Sequence, residues 1–278
     1  MPLTDFVRNL NDLNARPAHW AQGISQFIST DGRVFVRFAN LFLESAFKPI
    51  VDTATGKLYG HAASLQAYSF STWLPVRPEA VFVLPSDDEE FVYLDRLVRT
   101  LHALNYLIQP TPGNLLLKVH PRHVASVPAD HGLAFEEILR SCGIIPKQIT
   151  LELELDAVED FGHLKRAVSN YRSRGYGIAI ARFGKNHIDF SLIDELQPDI
   201  VKLDSLLLSS ARPLQRLVKR LQQSGAKVLI EGVDTPGLRK GAASLDIDLL
   251  QAHTPARHQQ TPIRGSAKFR PADMQAAA

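Results

Sequence analysis

Three apolar segments decide the fold: GYGIAIARFG at residues 175–184, PDIVKLD at 198–204 and AKVLIEGVD at 226–234. Apolar residues recur at helical spacing between them, which predicts a short helix over 190–196 and a longer one over 214–221. Short strands rich in Val, Ile and Leu that alternate with helices are typical of a parallel sheet covered on both faces. These segments therefore predict an α/β fold.

The same alternation extends upstream. Strands are predicted over 114–119 and 148–154, and a helix with one apolar face is predicted over 94–104. The regular part opens with a hairpin, whose strands are predicted over 47–52 and from Leu58 onward. Six or seven strand–helix units after a hairpin, ending in a short strand near residue 250, favour a closed barrel over an open sheet.

Composition excludes several classes of protein. The 278 residues are 45% hydrophobic and 22% charged, with a net charge of +2, so bulk electrostatics predicts neither a nucleic-acid partner nor a membrane partner. The single cysteine, Cys142, excludes a disulfide within the chain and is interpreted as a small core residue. No apolar run approaches about 18 residues, and the N-terminus lacks a signal pattern. The predicted location is cytoplasmic.

Residues 1–41 are predicted to form an amphipathic N-terminal extension, with helices first, a turn at Asp31-Gly32 and a strand over 33–38. Its apolar face either packs on its own domain or makes a surface for a partner or a second copy, and the first reading is preferred. Residues 42–260 are predicted to be the barrel, and residues 261–278 a disordered tail. The apolar residues at helical spacing in the extension are Phe6, Leu10, Leu13, Trp20, Ile24, Phe27 and Ile28.

Polar residues interrupt the apolar strands close to their carboxyl ends, which is where the chemistry of such barrels lies. From these residues alone, a functional cluster and a set of salt bridges inside the barrel mouth are equally good interpretations. The motif His120-Pro-Arg-His123 is interpreted as a surface loop, because its proline and its lack of acidic partners argue against zinc. The polar residues near the strand ends are Lys48, His61, Gln66, Lys118, His120, Glu152, Arg182, Lys202, Asp204, Glu231, Asp234 and Gln251.

Four motifs resemble the EAL domain family of bacterial phosphodiesterases that linearise cyclic di-GMP. They are FKPIVD at 47–52, TGKLYG at 55–60, VKLD at 201–204 and IEGVDT at 230–235, in the family's order and at nearly its spacing. The resemblance covers roughly residues 42–255. It implies a modified TIM-type (β/α)₈ barrel with one antiparallel strand, and two Mg²⁺ or Mn²⁺ ions that polarise the phosphate and activate a water.

The resemblance also implies which residues correspond to the family's functional positions. The signature glutamate falls on Ala62, the metal-binding asparagine on Lys118 and the paired aspartates on Ala181 and Arg182. We therefore expect no metal, no cofactor and no catalytic residue, because cations would repel a metal from these positions. The other substituted positions are Lys48, Gln66 and Leu155, and the retained positions are Glu152, Lys202, Glu231 and Gln251.

Three functions follow from this comparison of positions. The preferred one is a non-catalytic regulator in cyclic-di-GMP signalling that binds an unidentified protein; a homodimer is also compatible with the family. The alternative is a metal-free receptor for cyclic di-GMP or another nucleotide, whose binding is expected to be weak or absent. The third, residual phosphodiesterase activity, is disfavoured, so the chain is predicted not to be an enzyme.

We also expect Lys118 to approach Glu152, Arg182 to approach Glu152 or Glu231, and Lys202 to join them.

Overall fold

Eleven strands form one sheet in the part of the chain that the structure describes. The structure is a computed structural model, and it describes residues 7–8, 10–11, 25–30, 32–109, 113–155, 160–184 and 189–252. The strands are β1 (Ser25–Thr30), β2 (Arg33–Phe38), β3 (Leu41–Asp52), β4 (Leu58–Ser69), β5 (Pro75–Val76), β6 (Asn114–Lys118), β7 (Ile149–Glu154), β8 (Gly177–Ala181), β9 (Ile200–Asp204), β10 (Lys227–Glu231) and β11 (Leu249–Gln251).

Eight of these strands close into a barrel. The order is β3-β11-β10-β9-β8-β7-β6-β4, and β3 pairs with β4 to complete the circle. Strand β3 runs antiparallel to both of its neighbours, because a tight turn joins it to β4, whereas the other neighbours are parallel. The predicted fold class, a modified (β/α)₈ barrel with an opening hairpin, is confirmed.

Helices cover the outside of the barrel and supply its crossover connections. Apolar side chains on the outward faces of the strands, among them Leu115, Leu151 and Ile178, pack against these helices in one large core. The described helices are α1 (Pro78–Val81), α2 (Asp88–Tyr106), α3 (Pro121–Ser126), α4 (Leu133–Ser141), α5 (Phe161–Ser173), α6 (Phe190–Leu196), α7 (Ala211–Gln223) and α8 (Pro236–Ala243), with 3₁₀ turns at Pro146–Gln148 and Ser205–Ser209.

A smaller layer of apolar side chains fills the barrel interior. Because side chains alternate along a strand, the residue two positions after an interior residue of a parallel strand also points into the barrel. It lies one layer nearer the carboxyl-end mouth. Leu116 is thus followed by Lys118, Ile200 by Lys202 and Leu229 by Glu231. The interior layer is Ile50, Ala62, Leu116, Ala179, Ile200, Leu229 and Leu249.

The N-terminal region differs from its prediction. Residues Ser25–Thr30 form a strand that pairs with Arg33–Phe38, so the helical interpretation is wrong at Phe27 and Ile28. Pairing with β2 and burial of Phe27 outweigh the helical spacing, which is only a weak local signal. Val7 and Leu10 are helical and buried. Phe6, Leu13, Trp20 and Ile24 lie outside the described residues.

The hairpin strands β3 and β4 are each twelve residues long, so they extend well beyond the barrel. Their outer halves pair with β2 and β5 and pack on α2 through a second apolar core. The division of the chain at residues 41 and 260 stays a prediction, and residues 261–278 lie outside the described part. None of the described helices is long and apolar enough to cross a membrane.

Candidate functional site

The centre of the barrel mouth is a buried lysine between two carboxylates. Lys202 of β9 is 3% exposed. Its Nζ lies 2.5 Å from Oε2 of Glu152 on β7 and 3.3 Å from Oε2 of Glu231 on β10. Burial acts to lower the pKa of Lys202, but the two carboxylates outweigh it and hold the pKa above the ordinary 10.5. Lys202 is therefore charged at neutral pH.

A second ion-pair group lies one step nearer the solvent, around Glu154. Lys118 Nζ lies 2.5 Å from Glu154 Oε1, and Arg182 Nε lies 3.4 Å from the same oxygen. Both cationic side chains are about half exposed, at 48% for Lys118 and 53% for Arg182. One carboxylate thus serves two cations, which leaves this group with a net positive charge.

The expected partners of Lys118 and Arg182 were wrong, although the expected cations do lie at the mouth. Lys118 faces Glu152 across the β6–β7 ladder, but its ammonium reaches past it to Glu154. The physical reason is competition: buried Lys202 already bridges Glu152 and Glu231. Glu154, two residues after Glu152 on the same face of β7, was not singled out in the sequence, although the alternation in ITLELE carries that signal.

Three of the other predicted positions, Ala62, Gln66 and Leu155, lie away from the ion pairs of the barrel mouth. Ala62 pairs with Lys48 across the hairpin and lies in the apolar interior layer. Gln66 lies four residues farther along β4, opposite Glu44, in the part of the hairpin that extends past the barrel. Leu155 packs against the outer core.

Gln251 and Ala181 stay at the mouth. Gln251 pairs with Glu231 across β10 and β11 and is buried. Its Oε1 has no hydrogen-bond partner in the part of the chain that the structure describes. Ala181 lies opposite Glu154 and offers no ligand atom. Arg182, directly after it, has a φ of 57°, the left-handed region that only a few per cent of non-glycine residues adopt.

The residues at the mouth do not fit a pair of divalent cations. Mg²⁺ and Mn²⁺ need several oxygen ligands, whereas Glu152, Glu154 and Glu231 are each paired with a protein cation. The ammonium of Lys202 lies between the carboxylates of Glu152 and Glu231 and contacts both. Over the described ranges, no group of three or more His, Cys, Asp or Glu side chains could hold a metal ion.

A buried polar cluster beside the barrel was also missed. Asp95 of α2 lies 2.8 Å from Nη2 of Arg99 and 3.1 Å from Nδ1 of His123, and all three residues are buried. The prediction of a surface loop at His120–His123 is wrong, because α3 begins at Pro121 and turns His123 toward Asp95. The i, i+4 spacing of Asp95 and Arg99 on α2 was the available signal.

The family model described as "EAL domain" matches residues 36–251. No curated protein matches the chain. The Klebsiella pneumoniae BlrP1 calcium/cy-diGMP complex has a TM-score of 0.66 at 22% identity, and the match covers 77% of this chain and 56% of BlrP1. The chain therefore spans little more than half the length of BlrP1.

Two other solved structures are covered almost entirely by the match. The PaMucR phosphodiesterase in complex with c-di-GMP has a TM-score of 0.66 at 18% identity, with 79% of this chain and 94% of PaMucR covered. A standalone versatile EAL protein from Vibrio cholerae O395, in its c-di-GMP-bound form, has a TM-score of 0.62 at 21% identity, with 76% and 89% covered. These likenesses show the barrel fold.

The family match contradicts the prediction that the chain is not an enzyme. It points to an enzyme family, and one of the matched structures is the PaMucR phosphodiesterase. The prediction was based on the substituted positions alone, and a substitution at a ligand position is not a measurement of activity. The prediction is therefore corrected.

Proposed function

Because this chain belongs to the EAL domain family, we propose that it is a regulatory protein of cyclic-di-GMP signalling that acts through protein–protein interaction. The observation that carries the proposal is the barrel mouth, where the three carboxylates of Glu152, Glu154 and Glu231 are paired with cations of the protein itself. Because these carboxylates pair with cations of the protein, we assign the mouth a structural role in the barrel.

The energetics of buried ion pairs support this role for the mouth. Lys202 is buried, so removing it would leave the two carboxylates of Glu152 and Glu231 close together without their cation. The pairs therefore hold β7, β9 and β10 together at their carboxyl ends. A barrel held in this way is a stable scaffold, and its outer surface is then the part that a protein partner would contact.

A second candidate function has its own supporting observation. Lys118 and Arg182 are half exposed and share the single carboxylate of Glu154, so this outer group carries a net charge of +1. The inner group of Lys202, Glu152 and Glu231 carries a net charge of −1. Guanidinium and ammonium groups bind phosphate oxygens through charge-assisted hydrogen bonds. The alternative is therefore metal-free binding of cyclic di-GMP or another nucleotide, with Lys118 and Arg182 as the phosphate contacts.

Complementation in the bacterium that encodes the chain separates these functions. The gene is deleted and replaced by the wild type, by Glu231→Gln or by Arg182→Gln, and the deletion phenotype and the cellular cyclic-di-GMP level are measured. A regulator that acts through protein contacts retains its phenotype in both variants. Loss of the phenotype in Arg182→Gln alone would support the receptor function.

Two measurements on the purified chain complete the test. Melting temperatures establish that both variants are folded, and a turnover assay with Mn²⁺ and cyclic di-GMP measures hydrolysis directly. Turnover in the wild type that disappears in folded Glu231→Gln, with a rise of cellular cyclic di-GMP in the same variant, would overturn the proposed regulatory role in favour of a phosphodiesterase.

A further inference from the structure

A pocket of about 250 Å³ lies between helices α2 and α4 and strand β1, and none of its lining residues belongs to the barrel mouth. One face of α2 forms its main wall, because the lining residues of that helix recur three and four positions apart. Small Ala134 on α4 leaves room above this face. The lining residues are Phe27, Glu89, Val92, Tyr93, Arg96, Leu97, Thr100, Ala134 and Ile138.

Arg96 is the one cationic side chain among these lining residues, and it is half-buried. No described residue accepts a hydrogen bond from its guanidinium or forms an ion pair with it. The adjacent carboxylate of Asp95 is already paired with Arg99 at 2.8 Å and lies 3.1 Å from His123. Guanidinium groups stay charged in proteins, so this pocket has a half-buried positive charge that no described carboxylate contacts directly.

The charges of the buried Asp95–Arg99 pair act on Arg96 in opposite directions. Arg99 lies one turn after Arg96 on α2 and is 2% exposed. Burial lowers the pKa of Arg96 and the charge of Arg99 lowers it further, while the carboxylate of Asp95 opposes these two effects. An anion beside Arg96 would relieve both effects. Glu89, which is exposed and also lines the pocket, limits how much negative charge a ligand could carry.

We propose that this pocket binds a small organic monocarboxylate, with its carboxylate against Arg96 and its apolar body against Phe27, Leu97 and Ile138. A planar guanidinium can hold a carboxylate through two parallel hydrogen bonds. The repulsion from Glu89 disfavours a dianion such as phosphate. The cavity holds about eight water-sized groups, at ~30 Å³ each, which matches a carboxylic acid of about six carbon atoms.

Titration of the full chain with hexanoate tests the proposal, with neutral hexanamide as the matched ligand. A ligand of about eight heavy atoms is expected to bind with a Kd on the order of 1 mM. Calorimetry and ligand-observed NMR should show saturable binding of hexanoate. Arg96→Gln should weaken it at least about tenfold, because a charged hydrogen-bond donor is lost. The control Arg140→Gln removes an exposed arginine of α4 outside the pocket and should leave binding unchanged.

Three results would overturn the proposal: no saturable binding of hexanoate, equal binding of hexanoate and hexanamide, or equal binding by folded Arg96→Gln. If Arg96→Gln does not fold, Ala134→Phe provides the decisive variant, because Ala134 is only partly buried and a larger side chain would fill the pocket. Hexanoate binding must then be lost, and unchanged binding would overturn the proposal.

Discussion

Replacing Lys202 by methionine tests whether the ion pairs at the mouth hold the barrel together. The change removes the cation that lies 2.5 Å from Glu152 and 3.3 Å from Glu231 while it keeps most of the side-chain volume. Breaking a buried ion pair costs about 3–5 kcal/mol. Since the two carboxylates retain 13% and 25% exposure, the lower end applies, and we expect a loss of about 3 kcal/mol at pH 8.

The pH dependence distinguishes loss of the charge pair from loss of packing. In Lys202→Met, one of the two close carboxylates should take up a proton on folding, so the folded variant binds more protons than its unfolded chain and gains stability as the pH falls. The difference in the free energy of unfolding between the wild type and Lys202→Met should therefore become smaller as the pH falls from 8 to 5. In the wild type, the raised pKa of Lys202 means that its contribution is complete below pH 10.5 and is lost only above it.

Thermal and urea unfolding of both proteins provide the measurement. A loss of 3 kcal/mol lowers the Tm by about 6–12 °C in a domain of this size. Lys219→Met, on the exposed face of α7, is the matched control and should change stability by less than about 0.5 kcal/mol. A Tm change under about 2 °C would refute the structural role assigned to Lys202. So would a loss of unfolding free energy in Lys202→Met that is the same at pH 8 and at pH 5.

Three further predictions concern parts of the chain outside the mouth. Burial lowers the pKa of His102 to about 3. The contribution of neutral His102 to stability is therefore complete above about pH 6.5 and is lost as the pH falls toward 3. The urea midpoint should fall more steeply between pH 7 and pH 4 in the wild type than in His102→Asn. The Asn11 side chain accepts a hydrogen bond from the Phe27 N–H and donates one to its carbonyl, which covers the edge of β1. Asn11→Ala should therefore cost about 1–2 kcal/mol and increase self-association in light scattering, and an unchanged monomer fraction would contradict this role. Asp95→Asn should lower the free energy of unfolding by about 3 kcal/mol, because Arg99 stays buried without its carboxylate; a loss below about 1 kcal/mol in urea titrations would show that the Asp95–Arg99 pair contributes little.

Local sequence patterns determined most of the barrel. The apolar segments at 178–181, 200–203 and 228–230 are strands in the structure because buried parallel strands need continuous apolar runs. The period of two along these strands also determined that Lys202 and Glu231 face inward at the mouth. Both features depend on a residue and its immediate neighbours, and such features are readable from sequence.

Only the tertiary structure decided which charges meet. Glu152 and Glu154 lie on the same face of β7, and sequence alone does not say which of them Lys118 reaches. The outcome depends on the stagger of neighbouring strands and on competition from Lys202, which approaches from a strand about fifty residues away. The same reasoning applies to β1, whose helical spacing was overridden by pairing with β2. Pairing energies between distant segments are set by three-dimensional distance, which a local pattern does not contain.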